Sequence, residues 1–77
     1  MTYEDFEREV KEIISDYAFA LDCAVIRKRL KGLKFTSLEE KGLYQEFREK
    51  AVEQFPNEDW EWVHREYDKI YEEYMGA

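Results

Sequence analysis

Seventy-seven residues suffice for one domain with one small core, and a chain that is 44% hydrophobic and 17% aromatic is too apolar for disorder. Three glycines and one proline are too few for an all-β design, no apolar run has the length of a membrane span, and no signal-peptide pattern opens the chain. A net charge of −7 disfavours generic attraction to nucleic acid or anionic lipid; the lone Cys23 lacks a partner for an internal disulfide, so a reducing, cytoplasmic setting is expected.

The first helix is expected to open at Thr2, with Asp5 three residues on as a capping box and Glu4 and Asp5 in the positive end of the helix dipole. Phe6, Val10, Ile13, Ile14, Tyr17, Leu21, Ala24 and Val25 then follow at three-and-four spacing, the signature of an amphipathic helix. Neither Gly nor Pro interrupts residues 3–31, and the segment closes on Arg27-Lys28-Arg29-Leu30-Lys31-Gly32: cations in the last turn and glycine just past it. A second helix starts at Thr36 or Ser37, with Ser37-Leu38-Glu39-Glu40 as a capping box and Leu43, Tyr44, Phe47, Ala51 and Phe55 inward. Gly42 lies inside it, either to admit a close helix approach or simply tolerated. Pro56 ends it. Asn57 is expected to cap a third helix, with Glu58 and Asp59 in its first turn, Trp60, Val63, Tyr67, Ile70, Tyr71 and Tyr74 inward, and Gly76 at its end. The fold class is therefore all-α: a three-helix bundle forming a single domain over residues 1–77.

The first helix is too long for its neighbours, about 43 Å against about 27 Å at 1.5 Å per residue. It also carries an apolar stripe too many. Phe19, Cys23, Ile26 and Leu30 lie nearly opposite Phe6, Tyr17 and Ala24, and a helix apolar on two sides is usually buried on both. Three arrangements account for this. The other helices clasp the first from two sides, or the chain breaks near Asp16 to give four helices, or a second copy or a partner covers the extra face.

Charge is unevenly spread. Residues 1–26 carry seven acids and two bases, 27–34 five bases and no acid, 35–55 five acids and three bases, and 56–77 seven acids and two bases. Many acids have a base four residues on, as in Glu4–Arg8, Glu7–Lys11, Glu46–Lys50 and Glu61–Arg65, which is the pattern of a solvated helix face.

Little in the chain points to catalysis. Glu61-x-x-His64 has the i, i+3 spacing by which di-iron bundles present ligands, but those sites need a second such pair and two further inward carboxylates. Cys23 sits on an apolar stripe away from the one histidine, as a small hydrophobe does. The chain is read as a non-enzyme without metal or cofactor. Binding has better candidates. The outer face of the third helix is expected to show Trp62 among Glu58, Asp59, Glu66, Lys69 and Glu73, and tryptophan is a common hot-spot residue. The stripe Phe19, Cys23, Ile26 and Leu30 offers a dimer or partner face. Arg27, Lys28, Arg29, Lys31 and Lys34 form a basic island able to grip phosphates, although the same cations also offset the helix dipole.

In general form, a very short, acidic, aromatic-rich helical chain resembles the small proteins with which phages and mobile elements bind and disable a host factor, a likeness of type carried by no motif. The expected function is a protein–protein interaction module, an inhibitor whose acidic helical surface meets a basic surface on a protein partner, with nucleic-acid mimicry as one form of it. The alternative is a small nucleic-acid-binding or regulatory module using residues 27–34.

Overall fold

A computed structural model describes residues 2–76. Thr2 stands in extended backbone and its hydroxyl accepts the Asp5 amide at 3.2 Å, which starts α1 (Tyr3–Leu30). The helix runs through Asp16 without a break, so the four-helix alternative is not what forms. Its end is a Schellman motif. Gly32, at φ 72°, donates its amide to the Arg29 carbonyl (3.0 Å), and Leu33 donates to the Lys28 carbonyl (2.9 Å). Only glycine takes that left-handed step without strain.

One cap falls on one of two expected residues and another departs from expectation. Thr36, not Ser37, caps α2 (Ser37–Gln54): its hydroxyl accepts the Glu39 amide and donates to the Glu39 carboxylate, both at 3.2 Å. The tie-breaker is tertiary, because Lys28 of α1 reaches Glu39 at 3.3 Å. Asp59, not Asn57, caps α3 (Trp60–Met75), accepting the Trp62 amide at 3.0 Å. Residues 56–58 are used up in a turn that the Glu58 amide closes onto the Phe55 carbonyl at 3.1 Å.

α3 runs parallel to α1, and α2 runs antiparallel to both. Phe6, Val10, Ile13, Ile14 and Tyr17 of α1 meet Ala51 and Phe55 near the end of α2, and Val63, Tyr67 and Ile70 of α3. Every α1 residue in this core lies between Phe6 and Tyr17. Phe55 and Trp62 close the lower end over Phe6, with ring centroids 4.7 and 4.9 Å away. At the upper end Tyr71 lies 5.8 Å from Tyr17, and the Tyr74 hydroxyl sits 2.9 Å from that of Ser15. There α3 is finished, while α1 continues to Leu30. The molecule measures 45 × 20 × 17 Å as a result.

Three placements are corrected by this geometry. Trp62 is not outward: it packs on the core, half-buried, because Phe6 offers it a ring to rest on. Trp60, expected inside, is 58% exposed, its ring standing at right angles to that of His64 with centroids 5.6 Å apart. Tyr74 is exposed as well. The inner α1 residues beyond Tyr17 (Leu21, Ala24 and Val25) are only half-buried, since α3 ends just past its Tyr71–Tyr17 contact.

Gly42 admits no close approach. A Cβ built there would meet nothing within 4 Å, and its φ is not positive. Gly42→Ala therefore removes backbone entropy from the unfolded chain without a clash and should stabilise the fold by about 1 kcal/mol. Urea denaturation checks this; a loss of stability would mean that the surroundings of residue 42 are tighter than described.

Candidate functional site

No helix of the described residues is long and apolar enough to cross a membrane.

The seam between α1 and α3 gathers acids from both chain ends. Tyr3 donates its hydroxyl to the Glu66 carboxylate at 3.1 Å. Partial burial, then Glu66, and then the charges of Glu7 and Glu73, hold that hydroxyl above its ordinary pKa of 10.0. Beside it runs an open groove of about 670 Å³ lined by Glu4, Glu7, Glu12, Asp16 and Tyr74, with Arg8 and Lys11 among them. Both bases are engaged: Arg8 with Asp5 at 2.7 Å, and Lys11 with Glu7 at 2.8 Å. The bond to Glu7 raises the Lys11 pKa. Of the i, i+4 pairs expected, Glu7–Lys11 forms; Arg8 prefers Asp5, and Lys50 reaches across to Asp16 at 3.8 Å. Glu66 and Glu73, read from the sequence as one surface with Trp62, thus belong instead with the acids of α1. Asp59 is occupied as the α3 cap, and Glu58 stands exposed in the turn before it.

The basic island is present but divided. Lys28 is half-buried and paired with Glu39, while Arg27, Arg29, Lys31 and Lys34 are exposed around the end of α1. The second stripe of α1 is uncovered, which overturns the arrangement in which α2 and α3 clasp α1 from two sides. Phe19 is 72% exposed, Ile26 55% and Leu30 83%. Cys23 is half-buried and free. α2 and α3 both lie on the Tyr17 side, and neither reaches round.

One feature was not legible as chemistry in the sequence. Tyr17, Tyr44 and Tyr71 pack edge to face, with centroids 4.9 to 5.8 Å apart, and with Leu38 and Lys41 they line a cleft of about 500 Å³ above the end of α3. Behind it the Tyr44 hydroxyl donates to Asp68, which also holds Arg48 at 3.1 Å. His64 lies nearby, and burial, then the Arg48 charge, lowers its pKa. The one sequence signal was tyrosine, in place of phenylalanine or leucine, at several inner positions. Glu61 and His64 are not drawn into a ligand set: among the described residues no group of three or more His, Cys, Asp or Glu side chains is placed to hold a metal.

Comparison with protein-family models, with curated proteins and with solved structures finds no match.

The tyrosine cluster sets an alkaline limit. Burial is the main cause that raises the pKa of Tyr17, Tyr44 and Tyr67 above 10.0, with Tyr67 pushed up to about 12. The folded chain thus holds these protons more tightly than the unfolded chain. Their contribution to stability is complete below the unfolded value and is lost as pH rises through the folded values. Urea midpoints should be flat up to about pH 9.5 and fall steadily above about pH 10. Midpoints unchanged at about pH 11.5 would contradict the burial of these hydroxyls.

Proposed function

We propose that the protein is an interaction module whose acidic α1–α3 seam docks on a basic surface of a protein partner. The observation that carries this reading is the convergence of Glu4, Glu7, Glu66 and Glu73 on one side of the bundle. Around them Tyr3 and Tyr74 stand 45% and 47% exposed. Carboxylates in number steer encounter with a cationic surface, and exposed tyrosines supply contact area and a hydroxyl at little entropic cost. Trp62, packed on the core, supports the seam from beneath and is not its anchor.

An acidic helical face seated on a basic groove also excludes any polyanion that the groove normally holds. Inhibition by nucleic-acid mimicry is the form of this function that the charge favours. The basic island supports a nucleic-acid-binding reading less well. Lys28 is spent on Glu39, and the remaining cations share one end of a molecule of net charge −7.

The test is affinity capture with the folded protein as bait at low salt, with and without heparin. Glu7→Lys/Glu66→Lys/Glu73→Lys should weaken capture by at least about tenfold, and heparin should displace what the unaltered protein holds. Arg27→Glu/Arg29→Glu should leave capture intact. The opposite pattern, with capture lost on altering the island and kept on altering the seam, would overturn the proposal.

A further inference from the structure

The uncovered stripe of α1 lies on the side of the molecule away from the α2–α3 packing, so it is independent of the core. We propose that it pairs with the same stripe of a second copy, the two α1 helices running antiparallel about a two-fold axis. Phe19, Cys23, Ile26 and Leu30 are spaced four, three and four residues apart, the 3.5-residue seam of a coiled coil, in which each side chain keeps facing the partner helix. Three of the four are more than half exposed in the single chain.

The antiparallel direction follows from size and charge. It sets Phe19 against Leu30 of the partner subunit and Cys23 against Ile26 of the partner subunit, so that a large residue or a small one meets a branched one in every layer. Asp22 and Arg29 are exposed along one flank of the seam. In this register Asp22 lies beside Arg29 of the partner subunit, and the two-fold axis makes that pair twice. Beyond the seam, the loop carrying Lys31 and Lys34 continues along the partner's Glu12 and Asp16, so the basic island meets an acidic stretch. A parallel pair would do the reverse, stacking the two islands, five bases each, on one another. It would also place Cys23 against its own copy, with no bulk to fill the layer. The layer order becomes α2, α1, α1, α2, and the long helix gains cover on the side that neither α2 nor α3 reaches.

The seam is about 17 Å long, shorter than a standard interface needs, so a dissociation constant on the order of tens of micromolar is expected at low salt. Sedimentation equilibrium from about 5 µM to about 1 mM spans that range. The unaltered protein should pass from monomer to dimer across it. Leu30→Glu, at an exposed position, should keep the helical circular dichroism signal and weaken association at least about tenfold. Asp22→Arg and Arg29→Asp should each weaken it, and the double swap Asp22→Arg/Arg29→Asp should restore it. A protein that stays monomeric at about 1 mM would overturn the proposal and leave the stripe to a different protein. A dimer indifferent to Leu30→Glu would overturn it in favour of another face, and a swap without rescue would overturn the antiparallel register.

Discussion

The shortness of α3 governs the rest of the structure. Its 16 residues run beside the first half of α1, from the Trp62–Phe6 contact to the Tyr74–Ser15 contact, and stop. All three helices pack together only along that stretch, and every fully buried residue of α1 falls between Phe6 and Tyr17. Past Tyr17, α1 is held by the first turns of α2, by the Lys28–Glu39 pair and by the Schellman turn. One length difference thus makes a well-packed body and a two-helix arm out of a single helix.

Chemistry follows the same division. The body carries the acidic seam, because the α1 and α3 segments richest in carboxylates are the ones that lie side by side there. The arm carries the basic island and the uncovered apolar stripe, because among the described residues neither α2 nor α3 reaches round to them. The tyrosine cleft sits at the step between the two, where α3 ends and its last inner rings meet those of α1 and α2.

Much of the body could be read from the sequence. Phe6 to Tyr17, Ala51, Phe55, Val63, Tyr67 and Ile70 follow the helical repeat, and an apolar residue at those positions has one place to go. The arm was legible as a surplus stripe but not as an exposed one, since spacing along one helix does not say how far its neighbours extend. The two tryptophans were exchanged for a related reason. Both lie on the flanks of the α3 stripe, and which one turns inward depends on Phe6 of another helix offering a ring. Residue pairs likewise escape local reading: Asp68 with Tyr44 and Arg48, or Tyr3 with Glu66, join residues far apart in the chain. The choice of Thr36 over Ser37, and the shift of the α3 cap from Asn57 to Asp59, were made by tertiary and turn contacts among neighbours of equal capping ability.

Native-state hydrogen exchange along α1 tests the body-and-arm account most directly, at a concentration too low for chains to associate. Amides of residues 10–17 should exchange only through global unfolding, and those of residues 22–30 through a local opening at least about a hundred times more frequent. Uniform protection from one end of α1 to the other would contradict the account.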